Sequence, residues 1–352
     1  MTFGPDHYVP VLKIKRGEKV ALRGIDPVLQ LRTSPLMEIV ERTKPTVTEH
    51  LDTAFKGLAE CLQPYSRCFL DAREINSDGP SASEEVFDRA TASGIVFTPV
   101  TGVTRTEDVA AALKYRFHGI ALRLTREEFE SGQLQAAVSR FLSDHALKPE
   151  EIDLIIDLGP VDDFVTDGII GLTEAFLSEV PDHTRWRTFT ISACAFPSSM
   201  GGVNRNSYAY VERGEWIAWR NNLYARRSEI PRLPSFSDCA IQHTTGVEGF
   251  DPRIMQASAA IRYTLADHWI LIKGESTRNI PPSMQFPALA TNLVYGVYRN
   301  SYIGAGHCGG CASINASADG APGIGSPEAW RRLGTIHHIS TVAMGLEALS
   351  WP

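Results

Sequence analysis

The sequence predicts a parallel α/β barrel, TIM-barrel-like (β/α)8, followed by an α+β elaboration. Three observations lead there: short apolar β-branched runs alternate with amphipathic stretches through residue 242, the connections are short, and no Gly-rich phosphate turn follows the first run. A strand covered on both faces has no polar side to alternate, so it reads as an unbroken apolar run. Short βαβ connections then impose right-handed crossovers and a parallel sheet. Eight such units in about 240 residues match a closed barrel. The rival, an open doubly wound sheet, would announce itself by a glycine-rich turn. Here the first strand runs into Lys13-Ile-Lys-Arg-Gly-Glu18, and no P-loop or dinucleotide fingerprint occurs anywhere.

The predicted strands, in order, are 8–14, 34–40, 67–72, 94–101, 119–125, 152–159, 187–193 and 235–242. Helical stretches stand between them at 17–25, 48–62, from 81, 106–115, 129–145, 169–180 and 216–227. The clearest strand is Ile152-Asp-Leu-Ile-Ile-Asp-Leu-Gly159, flanked by an amphipathic segment on each side. Ser81 followed by Glu84 and Glu85 is a good helix start, because a hydroxyl cap and first-turn acids suit the orphan amides and the helix dipole. After residue 243 the rhythm breaks. A strand at 267–274, a helix at 286–298, a Gly/Ala/Ser-rich loop at 304–325 and a helix opening on Ser326-Pro-Glu form the elaboration. The expected division is 1–245 for the barrel and 246–352 for an elaboration packed on it.

Composition bounds function. The 352 residues hold 43% hydrophobic, 9% aromatic and 21% charged residues, ordinary for a globular chain. A net charge of −7 speaks against general nucleic-acid binding. No apolar run reaches the roughly 18 residues of a membrane helix. The N-terminus has neither a basic region nor an apolar core, and the six cysteines are scattered, so the expectation is a cytoplasmic protein with reduced thiols and no membrane contact.

Polar residues recur at the carboxyl ends of the predicted strands, which in a barrel converge on one mouth: Lys13, Glu38, Asp71, Arg123, Asp157, Ser192 and Asp238. Glu38, Asp71, Asp157 and Asp238 are the candidate acid/base residues, while Lys13, Arg123 and Lys273 are the candidate anion clamp. Ser192, His337 and His338 are further ligand-binding candidates. Glu38 and Arg123 stand out because apolar neighbours surround them, where an unpaired charge is costly. Arg123 could pair bidentately with Asp157, or with a phosphate or carboxylate ligand. The bland reading, a salt-bridge network at the strand ends, uses the same letters.

Two other constellations stand out. Gly306-His-Cys-Gly-Gly-Cys311 with Thr335-Ile-His-His-Ile339 has the composition of a zinc site, but the spacing fits no familiar finger. No cofactor is therefore expected, with zinc at Cys308 and Cys311 as the weaker alternative. Arg220, Arg226, Arg227 and Arg232 interleave with Trp216, Trp219 and Tyr224, which suits single-stranded nucleic acid or, more simply, a solvated helix face over packed tryptophans.

The ordered set Tyr8-Val-Pro-Val-Leu-Lys-Ile-Lys-Arg-Gly-Glu18, Pro35-Leu-Met-Glu-Ile39, Ala195-Phe-Pro197, Ser237-Asp238, Ile261-Arg-Tyr-Thr264 and Trp330-Arg-Arg-Leu-Gly-Thr-Ile-His-His-Ile-Ser340 resembles the beta protein family of satellite phages, prophages and mobile islands. The likeness departs at Gly306–Cys311, where the family suggests an aromatic or acidic pattern. The satellite-phage member is encoded beside a protein that kills or arrests the host, and it counteracts that killing. The resemblance thus implies a component of a phage-defence or toxin-control module that binds a neighbouring-gene protein or senses a ligand. A barrel hydrolase or lyase acting on a phosphorylated or anionic small molecule is the alternative. A nucleic-acid-binding module is third.

Overall fold

Eight parallel strands form one sheet: β1 (Val11–Lys13), β2 (Leu36–Glu38), β3 (Cys68–Asp71), β4 (Phe97–Thr101), β5 (Ile120–Thr125), β6 (Ile152–Pro160), β7 (Thr188–Cys194) and, after an intervening strand β8 (Ser207–Glu212), β9 (Ser235–Asp238). They are neighbours in that order, and all pairs are parallel. The two ends meet just before β1. Tyr8 bridges both Thr33 and Phe236, and the Val9 amide donates to the Phe236 carbonyl at 3.1 Å. The sheet closes there into the predicted (β/α)8 barrel. The structure is a computed structural model and describes residues 2–244 and 257–351; the expected division at 245/246 lies outside the described residues.

The strand interiors are as apolar as their sequences demand. Leu154, Ile155 and Ile156 of β6 are fully buried. They belong to one large core that also takes in Trp216, Trp219, Ile339, Val342 and Leu346. The last three of these residues come from the long helix Pro327–Glu347, capped by Ser326 Oγ, which accepts from the Ala329 amide, with Pro327 at its first position. This helix runs beside the first barrel helix, Arg16–Ala21, at Gly17 and reaches Trp216 of the seventh at Gly345. It takes the eighth helix position of the barrel, although some ninety residues separate it from β9.

The intervening segments fold as a second, smaller layer. β8, β10 (Ser258–Thr264) and β11 (His268–Ser276) form an antiparallel sheet in the order β10-β11-β8. Helices Pro282–Val294 and Gly309–Ala318 complete it around a core of Ile261, Tyr263, Phe286, Leu293 and Trp330. Two features here differ from the sequence reading. β8 and β10 were not anticipated as strands. The stretch 304–325, expected to be a loop, contains the helix Gly309–Ala318. Its small residues hide the helical pattern, and they fit it tightly against the eighth helix: a Cβ on Gly310 would lie 2.6 Å from the Leu333 carbonyl.

Candidate functional site at the barrel mouth

Strand register decides which side chains enter the barrel. Lys13, Glu38 and Asp71 are direct partners across β1, β2 and β3, and Asp157, Ser192 and Ser237 across β6, β7 and β9. Thr125 pairs with Asp157, so Arg123, two residues earlier, shares that face. Six of the seven strand-end residues singled out in the sequence therefore occupy one interior layer.

At its centre Arg123, 2% exposed, reaches across the barrel. Its Nη1 donates to Glu38 Oε1 at 2.7 Å and to Asp71 Oδ2 at 2.8 Å, and its Nε and Nη2 meet Asp157 Oδ2 at 2.9 and 2.7 Å. Arg105 adds a bond from Nη1 to Asp71 Oδ1 at 2.7 Å. Burial alone would raise the Asp71 pKa, but Arg105 and Arg123 outweigh it and hold the carboxyl at about 2. Burial works against the charge on Arg123 too, and Asp157, Glu38 and Asp71 overcome it, so its pKa is raised. Asp71 is thus a fixed anion and Arg123 a fixed cation whose donors are taken. The Lys13 ammonium donates to the Thr244 carbonyl. On the β7–β9 side the hydroxyls of Ser192 and Ser237 are buried without a hydrogen-bond partner among the described residues. Buried hydroxyls are normally bonded, so these two are the donors this layer offers to a ligand or water.

The sequence did not single out Glu18, which lies at the rim. Its Oε2 accepts from the Lys13 amide at 2.6 Å, while Oε1 is buried without a partner among the described residues. Burial lifts its pKa, and nearby Arg331 and the Lys13 amide only partly oppose it, leaving it at about 7. The signal was available, since an acid one turn into the first barrel helix sits beside the mouth. Register alone could not choose it over Lys15.

Asp238 is not in this layer. Strand alternation turns it outward with Phe236, whose ring packs on Trp216 and Trp219. Behind the wall its carboxylate accepts from Tyr8 Oη at 2.5 Å and pairs with His338 Nε2 at 3.0 Å. His338 Nδ1 lies 2.9 Å from Thr264 Oγ1 and 3.4 Å from Trp269 Nε1. Burial lowers the His338 pKa despite Asp238. With Nδ1 accepting from the indole, the neutral Nε2–H tautomer satisfies every partner. This cluster fastens the eighth helix to β9 and β11. Lys273, on β11, spends its ammonium on the Met200 and Val203 carbonyls at 2.9 and 2.8 Å. It is therefore not part of an anion clamp with Arg123.

His337 turns the other way, to Cys308 and Cys311. The three offer sulfur and nitrogen atoms within 4.8 Å of one another. The cationic residues of the Trp-rich helix are engaged within the protein. Arg220 grips Asp267 through two bonds of 2.7 and 3.1 Å, Arg226 bonds Glu174 at 2.7 Å, Arg227 lies over the Tyr224 ring, and Arg232 donates to the Trp186 carbonyl.

Beside the mouth, between the first two barrel helices, a cleft of about 700 Å³ is lined by Lys15, Arg16, Lys19, Arg23, Lys44 and Lys56, with Glu60 as its one acidic residue. Lys19 is committed, donating to the Ala54 and Lys56 carbonyls at 2.8 and 2.7 Å. The other five are the exposed cations of this rim. Among the described residues, no helix is long and apolar enough to cross a membrane.

No curated protein and no solved structure matches the chain. A family model does, over residues 8–344, and by that near-complete match the chain belongs to the Beta protein family.

Proposed function

We propose that this barrel is a binding component of a phage-defence or toxin-control module and acts by docking a partner protein encoded beside it. Family membership over residues 8–344 motivates the module, and the state of the mouth favours binding over catalysis. A general acid or base needs a pKa near the working pH and room to reach substrate. At the charged centre of the mouth Asp71 has neither and Arg123 has no donor pair left for a substrate anion, although Glu18 at the rim is held at about 7.

The surface best suited to a protein partner is on the smaller layer. Among the described residues β8 is an edge strand, paired only with β11, and it alternates half-buried and exposed residues. Its exposed Tyr208 and Tyr210 stand edge to face at 5.6 Å, and Tyr208 also lies 4.8 Å from Tyr298. Val297, 78% exposed, and Ile303 are also exposed on the segment that carries Tyr298. Tyrosine-rich apolar surface beside an open strand edge is what protein interfaces select. The test is co-expression with the neighbouring gene product. Co-purification and relief of its toxicity are expected from the native chain, and both should fall at least about tenfold for Tyr208→Ala/Tyr210→Ala, the scale of a two-residue hot spot. Absence of any association, or full association by the double variant with unchanged melting, overturns the reading.

A second reading rests on the basic cleft. Five exposed cations around one acid suit a small polyanion, so the chain would sense such a ligand. Calorimetric titration with inorganic pyrophosphate should show binding that weakens with salt and is lost in Lys15→Ala/Lys44→Ala.

A further inference from the structure

We infer that Cys308, Cys311 and His337 form a binding site for a thiophilic divalent cation, zinc being the one their chemistry selects. The two cysteines lie at the start of helix Gly309–Ala318, with Cys308 Sγ accepting from the Cys311 amide at 3.4 Å. His337 comes from the eighth barrel helix, which Gly310 lets approach closely.

The spacing suits a metal. Zinc with sulfur at about 2.3 Å and nitrogen at about 2.0 Å in a tetrahedron sets sulfur and nitrogen roughly 3.5 Å apart. His337 Nδ1 lies 3.8 Å from Cys308 Sγ and 3.2 Å from Cys311 Sγ, on both sides of that value. The imidazole is also set for the purpose. Its Nε2 lies 2.7 Å from the Thr264 carbonyl, so the proton sits there and the Nδ1 lone pair faces the sulfurs. A ligating histidine is usually held by a carbonyl or carboxylate in this way. Tyr263 stacks on the ring at 3.8 Å, and its hydroxyl lies 3.3 Å from Cys311 Sγ. Cys308 and neighbouring His307 are the half-buried members of the group. The fourth position would open on their side, to water, since the His307 ring is engaged by Thr341 Oγ1 at 3.0 Å.

The bound ion would pin the smaller layer to the barrel, because the residue after His337 is His338, already fastened to Asp238 of β9. Full-length protein purified under reducing conditions should carry about one zinc per chain, and melt lower after chelation. Cys308→Ser/Cys311→Ser should lose at least about tenfold of the metal, the cost expected when thiolate ligands go, whereas Cys61→Ser/Cys68→Ser should keep it. Should the first variant fail to fold, cobalt added to the metal-free native chain decides. A thiolate-to-cobalt charge-transfer band with the strong visible bands of tetrahedral coordination is expected. Its absence, metal retention by the double serine variant, or a Cys308–Cys311 disulfide in the purified native chain overturns the inference.

Discussion

Replacing Arg123 by methionine separates a structural network from a ligand clamp. The substitution keeps an unbranched apolar stem but removes the guanidinium that Glu38, Asp71 and Asp157 share at 2.7 to 2.9 Å. Asp71 gives one measure of what is lost. Its pKa of about 2 lies below the ordinary 3.8, which at about 1.4 kcal/mol per pH unit is about 2 kcal/mol. Arg105 supplies part of that, but Glu38 and Asp157 lose their Arg123 bonds as well. Removing one side of a buried ion pair generally costs 3–5 kcal/mol, so a loss of about 4 kcal/mol at pH 7 is expected, or roughly 5 °C in a chain of this size.

The pH dependence carries the sign. A carboxylate with a depressed pKa contributes fully above its ordinary value and loses that contribution as pH falls through the folded value. In Arg123→Met the three carboxyls lose the cation they share, only Asp71 keeps one in Arg105, and protonation relieves the repulsion among them. The penalty should shrink between pH 7 and about 4, and Asp157→Asn in the same background should restore part of the loss at pH 7. Urea unfolding across that range is the assay. A loss below about 1 kcal/mol, the scale of a surface pair, would refute the network and return Arg123 to the role of a clamp held open for an anion.

Glu18→Gln should flatten a slope of the opposite sign. The raised pKa of Glu18, about 7 against 4.5, contributes stability that is full below pH 4.5 and lost as pH rises to 7, about 3 kcal/mol in all. The variant should gain that much on the native chain between pH 4.5 and 8 in urea unfolding; parallel curves would exclude it. At the opposite end of the barrel Asp153 accepts from Arg187 at 2.6 and 2.9 Å, from Thr188 Oγ1 at 2.8 Å and from Arg67. Asp153→Asn should cost about 3–5 kcal/mol without weakening partner association measured well below the melting point. Gly119→Ala should act on the same network. Gly119 has φ +96°, and its new Cβ would fall 1.8 Å from Arg187 Nη1. Strain alone costs about 1–3 kcal/mol, and circular-dichroism melting measures it.

What the sequence disclosed follows from which physical signal each element depends on. Buried parallel strands such as Ile152–Gly159 are legible because burial on both faces leaves no polar position. The mouth followed from strand order, and register then put Lys13, Glu38, Asp71, Arg123, Asp157 and Ser192 in one layer. Asp238 shows the limit: a one-residue shift in register turns a side chain to the other face, and only the packing of Phe236 on the tryptophans reveals which way it points. β8 was hidden because an edge strand of alternating, half-exposed residues lacks the apolar run of its barrel neighbours. The helix Gly309–Ala318 was hidden because small residues chosen for close approach erase the amphipathic pattern. That close approach also assembles Cys308, Cys311 and His337, residues 26 to 29 positions apart whose spacing matches no known finger. A site built by tertiary packing leaves composition in the sequence without geometry, and its chemistry becomes readable only when Pro327–Glu347 is found to take the eighth helix position.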